Sequence, residues 1–198
     1  MNDPSLTVTR IELWPVDIPI TDPFVVATGA RTLAENVFIR VTLAGGAQGY
    51  GEAAPFPEVG GETREACVAA ATELATTLIG QSAADYRTLG YRLYAQAASQ
   101  PSARCGLETA LIDAYCHATG QPLWAFCGGA DVRVRETDIT IPIVDLDNTV
   151  RLARHWYERG FRLFKMKIGQ DVEGDVRRLE AVHRRLPGIA FIGDANQG

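Results

Sequence analysis

FRLFKMKI, residues 161–168, and IAFIGDAN, residues 189–196, decide the fold, because each sorts cleanly into two faces. Side chains alternate across an extended strand, so residues two apart share a side. In the first stretch Phe164, Met166 and Ile168 lie together and leave Lys165 and Lys167 opposite. In the second, Ile189 and Phe191 oppose Ile192, Asp194 and Asn196. Asp171 to Arg185, between them, reads as a helix with Val172, Val176, Leu179 and Val182 on one side. Just upstream, Thr137 to Ile143 (TDITIPI) reads as another strand, with Ile139, Ile141 and Ile143 opposite Asp138 and Thr140. Asn148 to Arg159 reads as a helix closed by Gly160. Strand, helix, strand, helix, strand is the order of a parallel sheet with helical crossovers.

In a closed (β/α)₈ barrel of the TIM type the strongly apolar strand face lies beneath the helices, so the lysines, the aspartate and the asparagine are expected to point inward. They also fall at the C-terminal ends of their strands, the rim at which such barrels carry their chemistry. Taken singly, two lysines at i, i+2 read as a solvated face, and one aspartate after a strand reads as a helix cap or turn residue. Lys-x-Lys ending one strand and Asp-x-Asn ending the next, each backed by apolar residues, point instead to a shared pocket. A full barrel takes about 250 residues, and the sequence stops at Gly198, directly after the third strand. The expectation is therefore that residues 131–198 are the first (βα)₂β portion of a catalytic barrel, truncated after its third strand.

Residues 1–130 read differently. Thr7 to Ile20 is strand-like, and Glu35 to Leu43, Gly45-Gly46 and Gly49 to Ala54 read as a hairpin, so an antiparallel meander opens the chain. Thr21 to Thr32 (TDPFVVATGART) reads as a mobile loop that closes on something, or as a plain connector. Cys67, Ala71, Leu74 and Leu78 then recur at the spacing of one helix face ahead of Gly80, and Leu107, Leu111, Ala114 and Ala118 do so ahead of Gly120. Strands followed by helices make an α+β domain ending near Gly128-Gly129.

With 19 basic against 24 acidic residues, the net charge of −5 argues against nucleic acid or an anionic membrane as the main partner and favours a small molecule. No apolar run approaches the roughly 20 residues of a membrane span, and MNDPSLTVTR lacks the layout of a secretory signal, so the chain reads as cytoplasmic. Cys67, Cys105, Cys116 and Cys127 sit singly in apolar surroundings and read as reduced core residues.

The segment Phe164-Lys165-Met166-Lys167-Ile168-Gly169 resembles the Lys-x-Lys motif of the muconate-lactonizing and mandelate-racemase branches of the enolase superfamily. Asp194-Ala195-Asn196-Gln197-Gly198 resembles the motif that supplies their first metal ligand. GEAAPFP (51–57) and ARCGLETALIDA (103–114) resemble the capping domain of the same family, and the likeness runs in the family's order along nearly the whole chain.

That resemblance implies abstraction of the proton next to a carboxylate, with the resulting enediolate stabilised on magnesium, or manganese in its place, and with no organic cofactor. The proton is weakly acidic beside an anion, and a divalent cation offsets the second negative charge as it develops. By resemblance, Asp194 is a metal ligand, Lys167 the general base or acid facing the α-carbon, and Lys165 its helper, a nearby cation that disfavours protonation of Lys167. Asn196 and Thr140 are candidates for substrate contact. Two further acidic ligands and an opposing lysine, which the family draws from later strands, lie outside these residues, so the 198 residues alone are expected to be inactive. A small carboxylate-containing substrate is implied, and a homo-oligomer when full-length.

The wording GEAAPFP, TDITI and DANQG is most similar to dipeptide epimerases of the L-Ala-D/L-Glu type. Muconate cycloisomerase, N-succinylamino acid racemase, o-succinylbenzoate synthase and a sugar-acid dehydratase are the alternatives within the superfamily. Outside it stand a Schiff-base barrel aldolase using Lys165 or Lys167 and a noncatalytic binding fragment.

Overall fold

A computed structural model describes the backbone of residues 3–26 and 29–196 and the side chains of residues 3–21 and 30–196. It divides into two compact units, Met1–Ile18 with Ala34–Arg133, and Pro19–Leu33 with Val134–Gly198.

Three strands, β1 (Val8–Val26), β2 (Gly29–Leu43) and β3 (Gln48–Ala53), form a sheet in that order. β2 and β3 are antiparallel, with Val37 opposite Ala53 and Thr42 opposite Gln48. Side-chain bonds show that β1 also runs against β2: the Thr9 hydroxyl donates to the Thr42 carbonyl, and Arg40 donates to Glu12. β1 contains Pro15, Pro19 and Pro23, tolerated because it is an edge strand whose missing N–H groups break no interior ladder. The loop expected over Thr21–Thr32 is instead extended backbone at 21–26 and 29–32, since strand pairing propagates past the turn formers; Ala27 and Thr28 lie outside the described residues.

Helices α1 (Pro57–Gly60), α2 (Arg64–Leu78), α3 (Tyr86–Gln96), α4 (Pro101–Thr119) and α5 (Leu123–Phe126) follow. α2 buries Cys67, Ala71, Leu74 and Leu78, and α4 buries Leu107, Leu111 and Ala114, as their spacing predicts, whereas Ala118 in the last turn is exposed. Two of the expected core cysteines, Cys67 and Cys116, are buried; Cys105 is exposed because it falls off the buried side of α4, and Cys127 is exposed just after the four-residue α5.

The contact of α4 with β3 explains the glycines of GYGEA. A Cβ on Gly49 would sit 2.0 Å from the Ala114 nitrogen, and one on Gly51 would sit 2.0 Å from the Gly106 oxygen. Strand backbone therefore lies directly on helix backbone, and Gly106, Ala110 and Ala114 supply the matching small surface. Asp113 accepts from the Tyr50 N–H at 2.9 Å and so satisfies a strand group that faces the helix. The N-terminus of α4 is held by Glu62, which is 3% exposed and accepts from the Ser102 and Ala103 N–H groups.

The second unit contains β4 (Ile139–Ile141), α6 (Leu146–Glu158), β5 (Leu163–Lys167), α7 (Val172–Arg185) and β6 (Ala190–Asp194), with the strands parallel in the order β4-β5-β6. Asp145 and Asp171 cap the two helices through the Asn148 and Gly174 N–H groups. Ile141, Phe164 and Met166 pack with Leu152 and Ala153 of α6 and with Val182 of α7. Full burial of Phe164 or Met166 stabilises by roughly 1.5–3 kcal/mol each, and a one-residue slip of β5 would exchange both for lysines, so the register is fixed.

The apolar face expected for α7 is only half present. Val172 and Val176 are 78% and 49% exposed, while Asp175 and Arg178 are buried in their place. The first turns of α7 lie against the strand ends, where unpaired backbone N–H and C=O groups call for polar partners rather than methyl groups. Among the described residues no helix is long and apolar enough to cross a membrane.

Candidate active site

The side of the second sheet turned away from α6 and α7 carries the polar residues. Parallel pairing sets Thr140 beside Lys165, Lys165 beside Ile192, and Lys167 beside Asp194. Two positions along β5 separate the lysines, so both emerge on that side, with Lys167 at the last strand residue. Three of the five residues singled out from the sequence meet there directly. The Lys167 Nζ donates to Asp194 Oδ2 and to Asn196 Oδ1, each at 2.7 Å.

Lys167 is 4% exposed, which gives those two bonds their weight. A buried ammonium without acceptors is strongly disfavoured, and here it has a carboxylate and an amide oxygen. Asp194 is correspondingly held below the usual carboxylate range, first by the bond from Lys167 and then by the Asn196 N–H, which donates to Oδ1 at 2.9 Å. That second bond closes a turn in which Asn196 takes φ +55, a left-handed conformation that asparagine tolerates better than most residues. The turn folds Asp-x-Asn back, beside the end of β5, so that both side chains reach one ammonium.

Lys165 and Thr140 are placed less tightly. Lys165 Nζ lies 3.8 Å from Asp138 Oδ2, with the two side chains about one-third exposed (33% and 30%). Thr140 is half-buried beside Lys165. Alternation with Ile139 places Asp138 on the polar face, but its pairing with Lys165 is visible only once β4 and β5 are aligned. Also missed were Asp175 and Arg178, whose D-x-x-R spacing on one helix was the available signal.

Asp194 offers the hard oxygen donors that suit magnesium. Among the described residues no group of three or more His, Cys, Asp or Glu side chains converges as a metal cage. The donor set present therefore fits one ligand of such an ion.

Residues 8–128 match the family described as mandelate racemase / muconate lactonizing enzyme, N-terminal domain, and residues 148–198 match the enolase C-terminal domain-like family. The aromatic dipeptide epimerase of Herpetosiphon aurantiacus is 38% identical, over 97% of this chain and 54% of its own length. The L-Ala-D/L-Glu epimerase of Bacillus subtilis is 30% identical, over 98% and 53%. The crystal structure of a dipeptide epimerase from Cytophaga hutchinsonii, complexed with Mg and the dipeptide D-Ala-L-Val, superposes with a TM-score of 0.92 at 30% identity, over 97% of this chain and 52% of that one. The chain spans about half the length of the curated relatives it matches. An α+β unit followed by parallel strands that end in Lys-x-Lys and Asp-x-Asn, matched over this length, makes the chain a member of the mandelate racemase / muconate lactonizing enzyme family.

Proposed function

We propose that residues 1–130 are the capping domain and residues 131–198 the start of the catalytic barrel of a magnesium-dependent dipeptide epimerase, of the L-Ala-D/L-Glu type or one acting on an aromatic dipeptide. The observation that carries this reading is the Lys167 ammonium held between Asp194 and Asn196 at adjacent strand ends. The named activities of the similar proteins support it.

In a dipeptide the free carboxylate belongs to the C-terminal residue, so that residue's α-proton is the one to be moved. Lys167, as the neutral amine, takes the proton from one face of the α-carbon, and inversion requires that the opposing lysine, which lies outside these residues, deliver a proton to the other face. Lys165, two positions along on the same side, keeps a positive charge close to Lys167 and to the anionic substrate. Asn196 and Thr140 contact the substrate beside it. Asp194 would hold magnesium, which when bound would supply the positive charge that makes loss of the proton beside a carboxylate feasible. The four free thiols support a reducing, cytoplasmic setting.

The test is deuterium exchange. A polypeptide extended to the length of its relatives, incubated in D₂O with L-Ala-L-Glu and a panel of aromatic dipeptides, is expected to exchange the C-terminal residue's α-proton, read by proton NMR. Lys167→Ala and chelation of the metal should each abolish the exchange. Exchange that survives both would overturn the proposal, and borohydride trapping of a carbonyl substrate on Lys165 or Lys167 would replace it with Schiff-base chemistry.

A further inference from the structure

Two buried charges in the second unit lie on the helix side of the sheet, opposite the pocket. Arg178 and Asp175, one turn apart on α7, are 5% and 8% exposed, and the Arg178 Nη2 donates to Asp175 Oδ1 at 2.5 Å. A buried ion pair contributes little net stability, because desolvation offsets most of the attraction, so its placement needs another explanation.

The remaining bonds of the pair all go to backbone at the strand ends. Arg178 Nη2 also donates to the Lys167 carbonyl at 2.8 Å, and Nη1 reaches the Pro142 carbonyl at 3.4 Å. Asp175 Oδ2 accepts from the Gly169 N–H at 2.8 Å. The pair therefore grips the chain on both sides of Ile168 and ties the ends of β4 and β5 together. Lys167 is the last residue of β5, and beyond it the Ile168 N–H, bonded to the Asp194 carbonyl at 3.2 Å, continues the pairing with β6. Gly169, at φ +110, turns the chain away immediately afterwards. On the β4 side the register stops at Ile141 and Met166, so there the ion pair is what holds the end of β5, and a twist of that end would swing the lysine side chain through the pocket.

We propose that Arg178 and Asp175 are positioning residues: from the far side of the sheet they fix the backbone of Lys167 so that its ammonium stays between Asp194 and Asn196. Neither side chain touches the reacting atoms. The inference deepens the catalytic reading above and rests on it only in naming the pocket an active site.

The test uses the ¹⁵N-labelled 198-residue chain without substrate or metal. Arg178→Met alone would strand a buried carboxylate and endanger the fold. The double variant Asp175→Leu with Arg178→Met removes both charges together, so that neither is stranded, and releases the Gly169 N–H and the Lys167 carbonyl, the two groups whose anchoring is in question. With circular dichroism and the Phe164 and Met166 amides unchanged, the Gly169 amide should exchange about tenfold faster. The decisive signal is the Lys167 ammonium. In the wild type its protons should exchange slowly and show nuclear Overhauser contacts to the Asn196 side chain; in the double variant those contacts should vanish. If the double variant does not fold, Asp175→Asn is read by the same signal. A Lys167 ammonium equally protected in the folded variant would overturn the proposal. Because the readout involves no turnover, failure of the epimerase reading would leave this result standing, and the reverse also holds.

Discussion

Lys167 and Asp194 stabilise one another, and the sign of that coupling is open to measurement. The ammonium and the Asn196 N–H hold the Asp194 carboxyl below its ordinary range in the folded chain. A carboxylate whose folded pKa is depressed contributes stability that is fully present above its unfolded pKa, about 3.9 for aspartate. It loses that contribution as pH falls through the folded value. Urea unfolding followed from neutral pH downward should therefore show stability declining below about pH 4, with part of that slope missing in Asp194→Asn. An acid limb of identical slope in the variant would show that the pair does not bind protons differently on folding. The pair was half legible beforehand: alternation put Lys167, Asp194 and Asn196 on one side, but only the register, with Lys167 beside Asp194, brought them within bonding distance. The partnership of Asp138 with Lys165 was hidden for the same reason, since sequence fixes the face of a residue and pairing fixes its neighbour.

At the scale of elements, period-two strands read correctly because burial on one side is nearly absolute: Phe164 and Met166 are fully buried against the helices while Lys165 is not. The first half of helix α7 read poorly because Val172 and Val176 follow helical spacing on a side that faces solvent, and the partners of the buried Asp175 and Arg178 are main-chain groups that leave no apolar signature. Strand β3 is the opposite case. It reads as a strand of the hairpin, but the reason for its glycines lies in packing: Gly49 and Gly51 are where the strand backbone rests on α4. A methyl group at Gly51 would meet main-chain atoms, which cannot rotate aside as a side chain does. Gly51→Ala should destabilise the chain by about 1–3 kcal/mol or more through overpacking, measured as a lower urea midpoint with an unchanged m-value. Gly46→Ala is a useful comparison, because nothing lies within 4 Å of its added Cβ and only its φ of +88 opposes the change. Equal stability of Gly51→Ala and wild type would mean that the helix stands off from the strand.

At the scale of the whole chain, two separate cores support two different jobs. The larger cluster, which includes Ile39, Leu74, Leu107 and Leu111, holds the antiparallel sheet to its helices, whereas the smaller one, around Phe164 and Met166, is the floor on which Lys167 and Asp194 stand. The described residues bring one carboxylate, Asp194, to the Lys167 ammonium, and no acidic cage surrounds it. A magnesium ion is held by oxygen ligands at near-ideal octahedral geometry and surrenders its waters reluctantly, so one carboxylate already shared with an ammonium gives weak binding. The 198-residue chain, purified and folded, is therefore expected to show no magnesium-dependent exchange of a dipeptide's α-proton in D₂O. Its α7 and β5 amides should nevertheless be protected from hydrogen exchange, because their contacts lie within these residues. Measurable exchange that requires magnesium and disappears in Lys167→Ala would show that a single carboxylate suffices. That outcome would move the weight of the chemistry from the metal's ligand set to the lysine itself.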